Sequence, residues 1–432
     1  MRRKLLFLER FIYADGTIPK HITFTVKIRG VINEAALRNA LEKVQAKHPL
    51  LTVGVKQDSR GTPWFVSPSP VPPVPLRIVE RTSEEDWMRE SEKECALPFD
   101  MQNGPLLRMV WIRSGVVSDL VLVCHHCICD GASIVTLFRE ILLLLDQPGL
   151  AIGQYESFSS IADLVPDPIL SDKKLQRKGK VIAALLRLFL FFARGKKQIR
   201  GGKDYTLRWK LDKAATAALV RRCKEERTTV HAALCTAFLW AFRHVKGAKA
   251  RNRVFCPVNL RRYITEIKDD MLFGFATSVT LSLDKAPGLD FSAQAKKVNE
   301  RLSEKLENLK VYEELMLNEY YHPVVKKLSR YMSTARGNND LTFSNMGRLD
   351  IPRRYHSFEV EAIHNPVLVF KSANPNGIIA STFDDQLNFS FLSNNAYLAY
   401  EEAEAIRDKA MELLMDGQMR AYTDVQMRAR AT

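Results

Sequence analysis

The stretch LVLVCHHCICDGASIVTLF, residues 120–138, constrains the fold of this chain more than any other part of the sequence. It begins with an unbroken apolar run, which is typical of a β-strand that is buried on both faces. After Gly131 the apolar residues return at helical spacing and predict an amphipathic helix. Two histidines, three cysteines and an aspartate lie in and around the connection. The stretch therefore predicts a strand, a chemically dense turn and a helix.

Strands and helices alternate on both sides of this unit. HITFTVKIRG has the alternation of a strand, and a helix follows from Asn33 until Pro49 stops it. In the C-terminal part, five segments indicate strands, the last two joined as a hairpin at Asp384 and Asp385. The strand segments are YTLRWKL, RVFCPVN, SVTLSLD, GIIASTF and LNFSFLS, and the helical ones are DKAATAALVRRCKEER, TVHAALCTAFLWAFRHVKG and YEEAEAIRDKAMELLMDG, which is expected to end at Gly417.

The pattern predicts an α/β (α+β) protein of two halves. The N-terminal half covers residues 1–165 and carries the histidine turn, and the C-terminal half covers 205–432. A crossover segment of basic and apolar residues, 166–204, joins them. The interface between the halves is the expected place for a substrate channel. We expect the chain to be a monomer.

The charge of the chain is concentrated in the crossover segment. The 64 lysines and arginines exceed the 49 acidic residues by 15, and eleven of the basic residues fall in residues 173–203, which contain no acid. The rest of the chain is close to balance. A nucleic-acid-binding protein more often spreads its basic residues over a folded face or interleaves them with aromatics, so no nucleic-acid partner is predicted.

The same segment has an apolar centre, residues 181–193, in which Arg187 is the one charge. Thirteen residues of helix extend about 20 Å, short of the roughly 30 Å hydrocarbon core of a bilayer. The segment could be a solvated linker around a core helix, or it could lie in the interface of an anionic membrane. Its charges could also bind the phosphates of coenzyme A or an acidic carrier protein.

Other features indicate a cytoplasmic protein that could be peripheral on the inner face of a membrane. No apolar stretch is long enough to span a bilayer, and the N-terminus lacks the pattern of a signal peptide. Seven scattered cysteines do not indicate a disulfide framework.

The histidine turn is open to several interpretations. Asp130 could only cap the helix, Gly131 could only supply the dihedral angles of a tight turn, and both histidines could be core residues. Cys124, His126, Cys127 and Cys129 are suitable zinc ligands, but one short run cannot easily place four ligands tetrahedrally. The remaining cysteines form no second pair in the sequence, so no metal site is expected; they are Cys95, Cys223, Cys235 and Cys256.

A catalytic turn explains more of these residues together. Neighbouring residues at a strand end point to opposite faces, so His125 and His126 cannot both face one cavity. A neutral imidazole is suited to accept a proton from an alcohol or amine near pH 7. Asp130 could hold the turn through an arginine or orient the imidazole ring directly.

The sequence HHCICDG, residues 125–131, matches the HHxxxDG signature of the condensation-domain and chloramphenicol acetyltransferase-like superfamily. Other segments resemble that superfamily in order, from about residue 5 to 415, with Lys47 and Thr52 where it has two arginines. The chain is most similar to free-standing alcohol acyltransferases and polyketide-associated acyltransferases. The further matching segments are AALRNALEKVQAKHPLLTV, LPFDMQNGPLLRMVWI, TTVHAALCTAFLWA, PVNLRRY followed by FGF, and LTFSNMGRLD.

The resemblance implies two chloramphenicol acetyltransferase-like halves and an acyltransferase reaction without cofactor or metal. His126 would be the general base that activates an alcohol or amine acceptor. An acyl-CoA or acyl carrier protein would supply the thioester. Asp130 would pair with Arg261, or with Arg262 as second choice. His125 would support the site structurally, and Gly131 would let the chain pass close to the channel. The oxyanion or substrate would be contacted by main-chain amides near Gly131, or by the side chains of Ser344 or Asn345.

One difference from the superfamily bears on whether the product is an ester or an amide. Plant members of the superfamily carry a DFGWG motif and peptide condensation domains often carry a related DFG, whereas this chain has SNMG. This favours a free-standing enzyme that esterifies a lipid or polyketide hydroxyl. A stand-alone condensation enzyme that forms an amide and a non-catalytic module that recruits partners are the alternatives.

Overall fold

The computed structural model describes residues 1–16, 19–193, 201–274, 276–284, 288–334, 337–368 and 375–415. The N-terminal part begins with β1 (Arg2–Lys4), α1 (Phe7–Tyr13), β2 (His21–Gly30), α2 (Glu34–Lys47), β3 (Gly54–Gln57), β4 (Pro63–Val66), β5 (Leu76–Glu80) and α3 (Asp86–Ala96). It continues with β6 (Leu107–Arg113), β7 (Val117–His125), α4 (Gly131–Asp146), α5 (Asp167–Leu170) and α6 (Lys173–Phe192).

The C-terminal part alternates strands and helices in the same way. It contains β8 (Asp204–Leu211), α7 (Lys213–Glu225), α8 (Val230–Lys246), β9 (Arg253–Val258), β10 (Thr277–Ser282), α9 (Phe291–Glu307), α10 (Val311–Glu319) and α11 (Val325–Thr334). The last elements are β11 (Leu341–Arg348), β12 (Phe358–Leu368), β13 (Gly377–Phe383), β14 (Gln386–Asn394) and α12 (Tyr400–Met415). The predicted end of the last helix at Gly417 lies outside the described residues.

A five-stranded sheet in the order β12-β2-β7-β6-β5 forms the centre of the N-terminal half. Its strand β7 is buried from Ser118 to His125, which confirms the prediction of a strand covered on both faces. One face packs against α4, whose Ile134, Leu137 and Phe138 are fully buried. The other face meets α3, where Trp87 packs on the side chains of Val121 and Val123.

A six-stranded sheet in the order β10-β9-β11-β13-β14-β8 forms the centre of the C-terminal half. Helix α8 packs on it with ten buried residues, and α12 lies against α8. The predicted β13–β14 hairpin is present, and its Asp384 and Asp385 have φ angles of 48° and 59°. Positive φ at both central residues is typical of a two-residue hairpin turn of type I′.

The strand β12 joins the two halves. Although it follows β11 in the chain, it pairs antiparallel with β2 at the edge of the N-terminal sheet, with Phe358 opposite Gly30 and Leu368 opposite Ile22. Sequence reasoning assigned no strand there. Its apolar side chains Phe358, Val360 and Ile363 belong to the core of the N-terminal half. The chain therefore returns to the first sheet before it completes the second.

The crossover contains a longer helix than the apolar run predicts. Helix α6 begins at Lys173, with Asp172 as its N-cap, and covers 20 residues. Its buried face contacts α10 and α11, and a Cβ at Gly179 would lie 2.5 Å from the ring of Tyr320. In the described part of the chain, no helix is long and apolar enough to cross a membrane. The basic residues Arg194, Lys196, Lys197 and Arg200 lie outside the described residues.

Candidate active site

The histidine turn connects the end of β7 to the start of α4, and its two histidines face opposite sides. His125 is buried against His21 and Phe99, with ring centroids 5.7 and 6.3 Å away. Its Nδ1 accepts a hydrogen bond from the backbone N–H of Cys127 at 3.2 Å. Burial lowers the pKa of His125 well below its usual value. The ring is therefore a neutral core residue, consistent with the alternation at a strand end.

His126 is partly exposed, and its ring is held by the turn itself. Nδ1 lies 2.8 Å from the carbonyl oxygen of Cys129. A carbonyl can only accept, so Nδ1 carries the proton and Nε2 is the basic nitrogen. Burial lowers the pKa of His126, although the hydrogen bond to Cys129 and the charge of Asp130 oppose this. The imidazole is therefore neutral near pH 7 and able to accept a proton.

Asp130 has two functions, which the sequence left as alternatives. It is the N-cap of α4, where Oδ1 accepts hydrogen bonds from the Ser133 backbone N–H at 2.8 Å and the Ser133 hydroxyl at 2.6 Å. It also pairs with Arg261, whose Nη1 donates to Oδ2 at 2.8 Å. The predicted ion pair is thus present, and Arg262 is exposed instead. The carboxylate holds the turn through the arginine.

The guanidinium of Arg261 connects the turn to a loop of the C-terminal half. In addition to its ion pair with Asp130, the guanidinium donates from Nη2 to the Ser133 hydroxyl at 3.0 Å and to the Met271 carbonyl at 2.7 Å. Its central carbon lies 4.1 Å from the centroid of the Phe273 ring. Sequence reasoning missed Ser133, which is fully buried. The sequence did contain a signal for this contact, because Ser133 lies three residues after an aspartate that can cap a helix.

The loop after Arg261 comes close to the histidine turn at Gly274. A Cβ there would lie 2.2 Å from the carbonyl oxygen of Cys127 and 2.7 Å from that of His126, so no other residue fits without displacing backbone. The next residue, Phe275, lies outside the described residues.

Gly131 does not have the unusual dihedral angles of a tight turn that one interpretation of the sequence gave it. It is not among the glycines with positive φ, and a Cβ there would meet only the Met346 methyl group, at 3.8 Å. The interpretation of Gly131 as a residue of unusual dihedral angles is therefore wrong. The space beside it faces strand β11 and its SNMG sequence.

Strand β11 has an irregularity at SNMG, where its register with β13 shifts between Asn345 and Arg348. Ser344 and Asn345 are both partly exposed, and Met346 is the residue that faces Gly131. Oδ1 of Asn345 accepts a hydrogen bond from the Gly347 N–H at 2.9 Å. The amide group is therefore fixed with Oδ1 toward the backbone, and its Nδ2 is the remaining donor end.

A second polar cluster supports the same loop from the N-terminal half. Lys47, where the superfamily carries an arginine, contacts Glu140 Oε1 at 2.5 Å and Asp270 Oδ2 at 2.7 Å. The Tyr155 hydroxyl donates to Asp270, and His48 lies 2.7 Å from the other oxygen of Glu140. Asp270 precedes Met271, so both clusters fix the segment that carries Gly274 over the turn.

The cysteines differ from expectation in the C-terminal half. Cys235 on α8 and Cys256 on β9 form no pair along the sequence, but the fold places their Sγ atoms 3.8 Å apart. Among the described residues, the group with the geometry of a metal site is these two cysteines with His231, rather than the cysteines of the histidine turn.

Two family models match the chain one after the other. The condensation-domain model matches residues 13–154, and the model of the phthiocerol/phthiodiolone dimycocerosyl transferase C-terminus matches residues 202–398. The first match contains the histidine turn, and the second contains Arg261 and SNMG. Each half of the chain is therefore similar to one family of condensation-type acyltransferases. Members of the matched families are transferases.

Two solved structures share the fold over nearly the whole chain. Polyketide synthase associated protein 5 from Mycobacterium tuberculosis has a TM-score of 0.68 and 17% identity, covering 96% of this chain and 98% of that one. Trichothecene 15-O-acetyltransferase from Fusarium sporotrichioides has a TM-score of 0.72 and 12% identity, covering 96% and 95%. The predicted fold of two chloramphenicol acetyltransferase-like halves is confirmed.

Curated relatives include large peptide synthetases. Phosphinothricin tripeptide synthetase PhsC from Streptomyces viridochromogenes is 23% identical over 323 residues, which are 71% of this chain and 29% of that protein. Chondramide synthase cmdD from Chondromyces crocatus is 28% identical over 145 residues, 32% of this chain and 4% of that protein. The chain thus spans less than a third of the length of these relatives.

Proposed function

We propose that this condensation-type protein transfers an acyl group from a thioester, on coenzyme A or an acyl carrier protein, to the hydroxyl group of an alcohol. The observation that carries this proposal is the geometry of His126, where the Cys129 carbonyl fixes the proton on Nδ1 and makes Nε2 the base. General base catalysis at an acceptor hydroxyl requires that tautomer and a neutral ring. Metal and covalent enzyme intermediates have no part in the proposed reaction.

The proposed reaction has two steps. His126 Nε2 takes the proton of the acceptor hydroxyl as its oxygen attacks the thioester carbonyl carbon. The tetrahedral intermediate then collapses, the C–S bond breaks, and the leaving thiolate takes the proton back from the imidazolium. Asp130 and Arg261 position the turn, and they exchange no proton.

The oxyanion of the tetrahedral intermediate requires hydrogen-bond donors. The space beside Gly131 lies between the start of α4 and strand β11. The backbone amides near Gly131 point along the N-terminus of α4, where the helix dipole favours negative charge. On strand β11, either the Ser344 hydroxyl or the Nδ2 group of Asn345 is the proposed side-chain donor, since neighbouring strand residues point to opposite faces.

The comparisons supply arguments for both ester and amide products. The C-terminal half matches a dimycocerosyl transferase, and the trichothecene enzyme named above is an O-acetyltransferase. The N-terminal half matches condensation domains and peptide synthetases, which supports amide formation as the second candidate. The SNMG sequence in place of DFG favours the ester. A non-catalytic module is the third candidate, but it has no need of a partly exposed, oriented His126.

The direct test is product analysis by mass spectrometry. The purified protein would be offered mixed acyl-CoAs and acyl carrier proteins together with long-chain alcohols and amines. We expect ester products that are absent with heat-denatured protein. Amide products alone would select the condensation enzyme, and no product with any donor would favour the recruitment module.

We also propose that helix α6 rests on an anionic lipid surface. Several of its apolar side chains point outward, and Phe191 and Phe192 are 72% and 71% exposed. Leu185, Leu188, Phe189, Phe192 and Ala193 line an apolar groove on this surface. The first turns of the helix carry Lys173, Lys174, Arg177, Lys178 and Lys180, all exposed, and the neighbouring α11 adds Lys326 and Lys327. Apolar residues flanked by basic ones favour a membrane interface, with about 1 kcal/mol of attraction for each basic residue near the surface.

Vesicle flotation tests the lipid surface. The intact protein should float with vesicles rich in phosphatidylserine, less so at high salt and much less with phosphatidylcholine alone. The double substitution Phe191→Ser and Phe192→Ser should reduce flotation, because it removes apolar area and no charge. Val116→Ser is the matched control, since Val116 is 60% exposed on a distant hairpin. Equal flotation of the double variant and the intact protein would contradict the proposal, and so would binding to an acidic carrier protein without binding to vesicles.

A further inference from the structure

The C-terminal half contains a cluster of one histidine and two cysteines that the proposed acyl transfer does not use. His231 and Cys235 lie one turn apart on α8, so their side chains share a face of the helix. That face packs on the sheet, where Cys256 is the fourth residue of β9. Both cysteines are buried, and His231 is half-buried at the start of the helix, just after its N-cap Thr229.

The distances within the cluster match the edges of a metal-ligand tetrahedron. With bonds of about 2.3 Å to sulfur and 2.0–2.1 Å to nitrogen, tetrahedral geometry places two sulfurs about 3.8 Å apart and sulfur and nitrogen about 3.6 Å apart. The Sγ atoms of Cys235 and Cys256 are 3.8 Å apart, and Cys235 Sγ is 3.6 Å from His231 Nε2. All three ligand atoms lie within 4.8 Å of one another.

We propose that His231, Cys235 and Cys256 form a binding site for a thiophilic divalent cation such as Zn²⁺. One imidazole and two thiolates are soft ligands that select zinc over magnesium or calcium. A water molecule would complete the tetrahedron on the side of His231, where the cluster is nearest to solvent. Binding releases the two thiol protons, so affinity should rise with pH.

Burial raises the pKa of the Cys223 thiol on α7 to about 11. Cys223 is therefore an ordinary buried thiol in the same half of the molecule, outside the cluster, and it supplies a control.

An ion at this position would join two elements that lead to the candidate active site. It would fasten the first two turns of α8 to β9, which ends at Val258, two residues after Cys256. Arg261 lies in the turn that follows, five residues from Cys256. Asn259 caps that turn by accepting a hydrogen bond from the Arg261 backbone N–H at 3.0 Å. The site would therefore stabilise the strand from which Arg261 reaches Asp130, without contact with the reacting atoms.

Cobalt titration tests the site independently of any acyl transfer. The full chain would be reduced, freed of metal with a chelator, and titrated with Co²⁺ without oxygen. We expect a thiolate-to-cobalt charge-transfer band that saturates at one equivalent per chain and disappears when Zn²⁺ is added. His231→Gln and Cys256→Ala should lose the band, and Cys223→Ala should keep it.

Thermal unfolding gives a second measurement. Zn²⁺ should raise the unfolding midpoint of the wild type and of Cys223→Ala, and should leave that of His231→Gln unchanged. His231→Gln is the variant best suited to remain folded, because His231 is only half-buried. Absence of a cobalt band in the reduced wild type, or equal loss of it in Cys223→Ala, would overturn the proposal. A Cys235–Cys256 disulfide that forms readily in air, with no metal bound by the reduced protein, would also overturn it.

Discussion

His126→Ala is expected to lower the rate of acyl transfer by about 10²- to 10⁴-fold, the usual cost of losing a general base, while the protein stays folded. The side chain is partly exposed, and its hydrogen bond to Cys129 is confined to the turn. We therefore expect its removal to affect the reaction more than the core. The measurement is the turnover of thioester and acceptor, together with the unfolding midpoint.

Two comparisons make this prediction specific. His125→Ala should act mainly on stability, because His125 is buried and its Nδ1 accepts the Cys127 N–H.

The pH dependence of the wild-type rate is the second comparison. The neutral ring of His126 is the active form, and burial lowers its pKa. The rate should therefore stay constant from pH 8 to below the usual histidine pKa of about 6.5, and fall only at lower pH. Wild-type turnover by a folded His126→Ala variant would overturn the mechanism.

Asp130→Asn is expected to lower the free energy of unfolding by about 3–5 kcal/mol and to reduce activity at the same time. The side chain of Arg261 is only 2% exposed, so its charge would stay buried without compensation. Asparagine remains a good N-cap, so the substitution tests the charge and leaves the cap of α4 in place. Chemical denaturation at neutral pH is the measurement.

An exposed ion pair supplies the control for this prediction. Arg139 on α4 and Asp350 after β11 also connect the two halves, but their side chains are 33% and 82% exposed. Asp350→Asn should therefore cost no more than about 1 kcal/mol. Equal effects of Asp130→Asn and Asp350→Asn would show that the Asp130–Arg261 pair is not a buried restraint.

The sequence predicted most of the fold, because the patterns involved are local. Apolar alternation located β2, the continuous apolar run located β7, and the helical period located α4. Strand β12 was missed because EVEAIHNP mixes charges and a proline with its apolar residues. What makes it a strand is its pairing with β2, more than 300 residues earlier in the chain. Helix α6 was predicted too short for a similar reason, since its basic first turns have no apolar signal and are capped by Asp172.

The sequence by itself determined the site residues that a motif contains, because HHCICDG and PVNLRRY place His126, Asp130 and Arg261 in fixed local order. Only the tertiary structure decided how they act together. It buried the Arg261 guanidinium against Asp130 and Ser133, and it placed Gly274 where a Cβ would touch the Cys127 carbonyl. It also brought Cys256 to Cys235, which no spacing along the chain indicates. Such contacts depend on which faces of distant elements meet, and the local pattern of a sequence does not contain that information.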